Sequence, residues 1–125
     1  MKRMLIVDDS KLMRDMVAAC LRPLGAVEFE FAATGLEAIE RLSLAAFDLV
    51  ILDLNMPDVG GLEVIEFVRS QDHLRRLPIL VVTTRGDDTS KHRVIDAGAS
   101  GFLAKPFAPA QILEEARRLL PSEAA

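Results

Sequence analysis

The segment LVILD at residues 49–53 has four apolar residues in a row and ends at a carboxylate. Because it does not alternate apolar and polar side chains, it predicts a short strand covered on both faces, as in a parallel sheet. The same pattern recurs as MLIV at residues 4–7, PILVV at 78–82 and GFLA at 101–104. The fifth segment, VEFEF at residues 27–31, alternates and therefore predicts a half-exposed strand near the edge of the sheet.

Four of the predicted strands are followed by a longer segment whose apolar side chains have helical spacing, and the fourth strand is followed by a short, polar helix that ends at Ala97 and Gly98. Ser10 is a suitable N-cap for the first helix, Thr34 and Gly35 open a second helix that runs to about Ala46, and Pro109 begins the last. This alternation predicts an α/β fold of five βα units, (βα)5. In it, a five-stranded, doubly wound parallel sheet forms the middle layer of a three-layer sandwich.

Composition narrows the possible functions. The chain has 125 residues, 50% of them hydrophobic, which predicts a single domain over residues 1–125 with a core at about 2–120 and a short C-terminal tail. One cysteine excludes an internal disulfide, and no apolar run approaches the ~20 residues of a membrane span. The net charge is −4 and no run of Lys and Arg exceeds two residues, which disfavours direct nucleic-acid binding. We expect a cytoplasmic protein without membrane insertion.

Chemically reactive side chains follow four of the five predicted strands. Asp8 and Asp9 follow the first strand, Asp53 the third, Thr83 the fourth and Lys105 the fifth. The carboxyl ends of parallel strands share one edge of the sheet, where ligands bind in such folds. Three adjacent carboxylates call for a hard cation, Mg²⁺ or alternatively Mn²⁺, and the Lys ammonium indicates a phosphoryl group as substrate. Asp53 is the candidate nucleophile, which would form an acyl phosphate.

Four short motifs together resemble the receiver domain of two-component response regulators, most closely the CheY-like single-domain type. They are VDDS at residues 7–10, LDLNMP at 52–57, VTT at 82–84 and KPF at 105–107. They occur in the order and at the spacing of that family, and the likeness runs from about residue 2 to residue 120. The resemblance implies the flavodoxin-like, CheY-like version of the (βα)5 fold.

The resemblance also implies a role for each residue of the acidic site. Asp53 corresponds to the aspartate phosphorylated by a histidine kinase. Asp9, Asp53 and the backbone carbonyl of Asn55 correspond to the protein ligands of Mg²⁺, and Asp8 to the carboxylate that holds a metal-bound water. Lys105 corresponds to the lysine that pairs first with Asp53 and then with the phosphoryl group.

The same family likeness implies a switch and a backbone feature. Thr83 and Phe102 correspond to the residue pair that changes position on phosphorylation, and the peptide between Lys105 and Pro106 is expected to be cis. Arg85, two residues after Thr83, stands where the family tunes the lifetime of the phosphoryl group. Our hypothesis is that Arg85, together with Asn55, sets the rate of autodephosphorylation.

The function expected is therefore that of a stand-alone phosphorylation-controlled switch in chemotaxis-type signalling or a phosphorelay. Its partners would be a sensor histidine kinase or histidine phosphotransfer protein and a downstream protein target, and it would catalyse only its own phosphotransfer and autodephosphorylation. Exposed candidates for the output surface lie on the last helix: Gln111, Glu114, Glu115, Arg117 and Arg118. Two alternatives remain open, a phosphorylation-independent scaffold of the same fold and an aspartyl-phosphate phosphatase.

Overall fold

A computed structural model describes residues 1–56, 58–84 and 86–121 of the chain. Within these residues, the strands are β1 (Lys2–Val7), β2 (Val27–Ala32), β3 (Leu49–Leu52), β4 (Ile79–Thr83) and β5 (Gly101–Ala104). The α-helices are α1 (Lys11–Leu21), α2 (Gly35–Leu44), α3 (Gly61–Ser70), α4 (Asp88–Ala97) and α5 (Pro109–Leu119). Single 3₁₀ turns follow α1 at Arg22–Leu24 and α3 at Asp72–Leu74.

The five strands form one parallel sheet in the order β2-β1-β3-β4-β5. This order confirms the predicted doubly wound (βα)5 fold, and the alternating segment is indeed the edge strand β2. The order reverses direction between β1 and β3, whose register pairs Val7 with Leu52. Such a reversal opens a crevice at the carboxyl ends of the strands, and the residues that follow β1 and β3 line it.

Two apolar clusters, one on each side of the sheet, hold the three layers together. One cluster lies under α2, α3 and α4 and includes the side chains of Leu5, Val7, Val50 and Leu52. The other lies under α1 and α5 and contains side chains from the opposite face of the same strands. β3 is at most 2% exposed along its whole length. A strand buried on both faces must be apolar at every position, which is why the segment at residues 49–52 does not alternate.

Polar side chains fix where the helices begin. Ser10, Thr34 and Asp87 each accept a hydrogen bond from the backbone N–H three residues later, at the N-termini of α1, α2 and α4. Gly60 takes the N-cap position of α3, where the Glu63 carboxylate accepts from the Gly60 N–H at 3.4 Å. The cap at Ser10 and the start of α2 at Thr34 and Gly35 agree with the sequence prediction.

The structure adjusts several predicted boundaries. β1 begins at Lys2 rather than Met4, because the edge strand β2 pairs with it from that residue onward. α2 ends at Leu44, two residues before the predicted end at Ala46. The predicted tail at residues 122–125 lies outside the described residues. No helix among the described residues is long and apolar enough to cross a membrane.

Candidate functional site

Three carboxylates meet at the carboxyl ends of β1 and β3. Asp8, Asp9 and Asp53 each place an oxygen within 4.8 Å of the others, so the structure brings the predicted acidic residues together. Backbone hydrogen bonds hold these ends in place, since the Asp53 N–H donates to the Val7 carbonyl at 3.0 Å. Asp8 and Asp53 are buried, whereas Asp9 is exposed to solvent. One rim of the cluster is therefore open, and a ligand can approach from that side.

Lys105 lies beside the cluster and is almost buried. Its Nζ is 2.8 Å from Asp8 Oδ2 and 3.9 Å from Asp53 Oδ1. The family likeness predicts that this lysine pairs with Asp53, but in this structure the shorter contact is with Asp8. The peptide between Lys105 and Pro106 is cis, as predicted. One ammonium cannot balance three nearby carboxylates, so the site keeps an excess of negative charge.

The surroundings of Asp53 shift the pKa of its carboxyl group upward. Burial is the largest influence and raises the pKa of Asp53, and the neighbouring Asp8 and Asp9 carboxylates raise it further. The Lys105 ammonium and the Asn55 N–H, which donates to Asp53 Oδ1 at 3.4 Å, act in the opposite direction without cancelling the rise. Asp53 is thus harder to ionise in the metal-free protein than an ordinary aspartate is.

The predicted switch residues lie on β4 and β5, the two strands that complete the sheet. Thr83 ends β4 and is fully buried. Phe102 on β5 pairs with Val81, is partly buried and packs against the apolar cluster under α2, α3 and α4. Asn55 is exposed, and its side-chain amide donates to Thr84 Oγ1 at 3.4 Å. Arg85, the predicted tuning residue, lies outside the described residues.

Two contacts of the β1–α1 connection were not predicted from the sequence. Arg14, one turn into α1, donates from Nη1 to the Asp8 carbonyl oxygen at 2.7 Å. The Ser10 N–H donates to Asp8 Oδ1 at 3.0 Å. The spacing of Arg14 from the Ser10 cap places it at the N-terminal end of α1, but only the structure shows that its guanidinium turns back onto the Asp8–Asp9 turn.

The donor set suits a hard divalent cation. The group of side chains that could share an ion consists, among the described residues, of Asp8, Asp9 and Asp53, so the ligand atoms are carboxylate oxygens. Mg²⁺ prefers a few protein oxygens and keeps several waters, for which the open side at Asp9 leaves access. A cation would also relieve the repulsion that raises the pKa of Asp53. The residues therefore fit the predicted magnesium site.

Comparisons with known proteins agree with this geometry. Residues 4–117 match the family model described as the response regulator receiver domain. Chemotaxis protein CheY-3 of Vibrio cholerae is 34% identical over 113 residues, which cover 90% of this chain and 87% of that protein. Chemotaxis protein CheY1 of Helicobacter pylori is 36% identical over 114 residues, covering 90% of this chain and 91% of that one. The solved structure of V. cholerae chemotaxis protein CheY4 superposes with a TM-score of 0.88 at 40% identity, covering 96% of this chain and 99% of that chain.

Proposed function

The chain belongs to the response regulator receiver domain family, and on that premise we propose that Asp53 accepts a phosphoryl group from a phosphohistidine of a partner protein. The observation that carries this proposal is the arrangement of Asp53 at the end of β3. Its carboxylate lies within 4.8 Å of Asp8 and Asp9, and Lys105 Nζ is 3.9 Å away. A nucleophile, a cation site and an ammonium thus surround one small space.

The proposed step is an in-line displacement at phosphorus. An Asp53 oxygen forms the new phosphorus–oxygen bond while the phosphorus–nitrogen bond of the phosphohistidine breaks, and the histidine nitrogen keeps the electron pair of that bond. Mg²⁺ held by Asp9, Asp53 and the Asn55 carbonyl, with Asp8 on a bound water, would neutralise charge on the phosphoryl oxygens. Lys105 is close enough to exchange its contact with Asp8 for one with the phosphoryl group.

We propose that the phosphorylated site then acts as a switch for binding a protein. Thr83 lies buried at the end of β4, and Phe102 is partly buried on the neighbouring strand, so movement of Thr83 toward the phosphoryl group would open space next to Phe102. The relatives are chemotaxis proteins, which favours a chemotaxis-type output over a phosphorelay intermediate. Such a protein would act in the cytoplasm and carry out only its own phosphotransfer and dephosphorylation.

The two alternative functions fit the site less well. A phosphorylation-independent scaffold would have no use for a buried nucleophile, a lysine and paired acids held together against their repulsion. An aspartyl-phosphate phosphatase often carries a second acid two residues after the nucleophile, and that position is Asn55. Asn55 can accept and donate hydrogen bonds, but it cannot serve as a general acid or base at neutral pH.

Incubation with acetyl phosphate, followed by intact-mass measurement, tests the proposal. The wild-type protein should gain the mass of one phosphoryl group only when Mg²⁺ is present, and Asp53→Asn should gain none. Asp15→Asn, which changes an exposed acid paired with Lys11 at 2.7 Å on α1, is the matched control and should behave like the wild type. Absence of phosphorylation in the wild type, together with no Mg²⁺-dependent binding of beryllofluoride, would refute the proposed function.

A further inference from the structure

We propose that Asp58 is a positioning residue that ties the magnesium site to the N-terminus of α2. This inference rests on the proposed function, because the Asn55 carbonyl is one of the proposed Mg²⁺ ligands. Asp58 lies in the connection between β3 and α3, three residues after Asn55 and away from the cluster of three carboxylates.

Asp58 joins two parts of the fold that are distant in sequence. Its Oδ1 accepts from the Gly35 N–H at 3.3 Å, and its Oδ2 accepts from the Leu36 N–H at 3.4 Å. These are the first two N–H groups of α2, which have no partner within the helix. The carboxylate also lies at the positive end of the α2 dipole, where a negative charge is stabilised. The Asp58 side chain, which belongs to the loop that carries Asn55, thus provides hydrogen-bond acceptors for the first two N–H groups of α2.

A glycine makes this close approach possible. A Cβ atom at Gly35 would overlap the carbonyl group of Val59, the residue after Asp58. The loop backbone therefore rests directly on the first turn of α2. The hydrogen bonds also affect Asp58 itself, since partial desolvation alone would raise its pKa but N–H groups that include those of Val59, Leu36 and Gly35 bring it below its ordinary value. The backbone contact of Val59 and the side-chain hydrogen bonds of Asp58 thus hold neighbouring residues of the loop against the first turn of α2.

The rest of the α2 N-terminus is capped by residues of its own segment. Thr34 Oγ1 accepts from the Glu37 N–H at 3.0 Å, and the Glu37 carboxylate accepts from the Ala33 N–H at 3.0 Å. This pair resembles a capping box, except that Glu37 accepts from the N–H of Ala33 rather than from that of the N-cap Thr34. Neither of these two hydrogen bonds involves the β3–α3 loop. The two sources of capping at one helix terminus can therefore be removed separately, which provides a matched comparison.

The expected consequence is coupling between Mg²⁺ affinity and the order of the first turn of α2. The acidic ligands Asp8, Asp9 and Asp53 lie at strand ends, whereas Asn55 lies in the loop, so the position of its carbonyl depends on what holds the loop. Removing the Asp58 carboxylate would leave the loop with fewer restraints and make the Asn55 carbonyl a poorer ligand. By linkage, a cation that fixes the loop would in turn strengthen the hold of Asp58 on α2.

Calorimetric titration with Mg²⁺ tests the affinity side of this coupling. Asp58→Ala should weaken Mg²⁺ binding about tenfold, the lower end of what supporting residues around metal sites contribute. Thr34→Ala, which removes a cap from the same helix terminus without touching the loop, should change Mg²⁺ affinity less than about twofold. Asp58→Asn keeps an acceptor oxygen and should recover part of the loss. Equal Mg²⁺ affinity of Asp58→Ala and wild type, or an equal loss in Thr34→Ala, would overturn the coupling.

Hydrogen exchange at the Gly35 and Leu36 amides provides a readout that does not depend on phosphorylation. Mg²⁺ should slow exchange at both amides several-fold in the wild type but not in Asp58→Ala. The same response to Mg²⁺ in the two proteins would contradict the role of Asp58. A wild type that binds no Mg²⁺ at all would instead refute the proposed function, so the two failures are distinguishable.

Discussion

Replacing Asp53 by Asn is expected to stabilise the metal-free protein at neutral pH. Asn has nearly the same shape as Asp but no charge, so the substitution removes the repulsion from Asp8 and Asp9 and the cost of burying an ionised carboxylate. It also removes the attraction to Lys105, whose Nζ is 3.9 Å from Asp53 Oδ1. Because the pKa of Asp53 is raised, the unfavourable contributions outweigh the favourable one.

The distances set the size of the effect. Two carboxylates within 4.8 Å of each other repel by about 3–4 kcal/mol at the effective dielectric constant found near protein surfaces. The attraction to Lys105 has a similar size, and solvent screens the charge on the exposed Asp9. After these opposing contributions, a net gain of about 1–2 kcal/mol in the free energy of unfolding is expected for Asp53→Asn.

The sign of the effect predicts its dependence on pH. The folded protein holds the proton of Asp53 to a higher pH than the unfolded chain does, so wild-type stability falls as pH rises through that interval. Below the ordinary aspartate pKa of about 4, Asp53 is protonated in both states and the two proteins should be similar in stability. Above the raised folded-state pKa, the full advantage of Asp53→Asn should be present.

Urea unfolding followed by far-UV circular dichroism measures this difference, since the chain has no Trp and no Tyr to report by fluorescence. The midpoints of both proteins are compared from about pH 4 to pH 8 in EDTA, with Asp15→Asn as the surface control. Adding Mg²⁺ should raise the midpoint of the wild type more than that of Asp53→Asn. An Asp53→Asn protein less stable than wild type at pH 8, or a difference that does not shrink toward pH 4, would refute the reasoning.

Three further predictions concern single substitutions. Lys105→Met leaves Asp8 without its ammonium partner, so the metal-free protein should lose about 2–4 kcal/mol in urea unfolding, while calorimetry should show several-fold tighter Mg²⁺ binding. Gly35→Ala forces a Cβ against the Val59 carbonyl and should cost about 2–3 kcal/mol in the same unfolding assay; an unchanged midpoint would contradict this close approach. Arg69→Ala removes hydrogen bonds to the carbonyl of Gly98 at the C-terminal end of α4 and to those of Arg75 and Leu77 before β4. Thermal unfolding should therefore show a loss of about 2–3 kcal/mol, and exchange of the α4 amides should accelerate.

The architecture was predictable because its signals are local. A strand buried on both faces requires an unbroken apolar segment. The segments at residues 4–7 and 49–52 are too short for a buried helix, so they predict strands. The acidic site followed from topology alone, because parallel strands bring their carboxyl ends to one edge. That expectation places Asp8, Asp9 and Asp53 at one edge of the sheet, and the pairing of β1 with β3 brings them close together.

Contacts that depend on distant parts of the chain were not predictable. Arg69 donates to the carbonyl oxygens of Gly98 at 2.9 Å and Leu77 at 2.7 Å, and nothing in the local sequence distinguishes it from a solvated arginine. Likewise, Lys105 Nζ lies closer to Asp8 Oδ2, at 2.8 Å, than to Asp53 Oδ1, at 3.9 Å. Residue spacing along the chain does not resolve differences of that size.

The rigidity of the central strands explains how the acidic cluster can repel and still remain assembled. Val7 and Leu52, the last residues of β1 and β3, are almost fully buried and paired in register, so the backbones of Asp8 and Asp53 cannot move apart without breaking the sheet. The folded sheet therefore holds the carboxylates close together despite their repulsion. A bound cation would reduce this repulsion, and the energy gained would strengthen cation binding. Asn55, by contrast, lies on a loop and not at the end of a strand. Asn55 is the proposed ligand farthest along the chain from a strand end and the one that Asp58 helps to position, so variation of the β3–α3 connection should change Mg²⁺ affinity more readily than conservative changes within the strands.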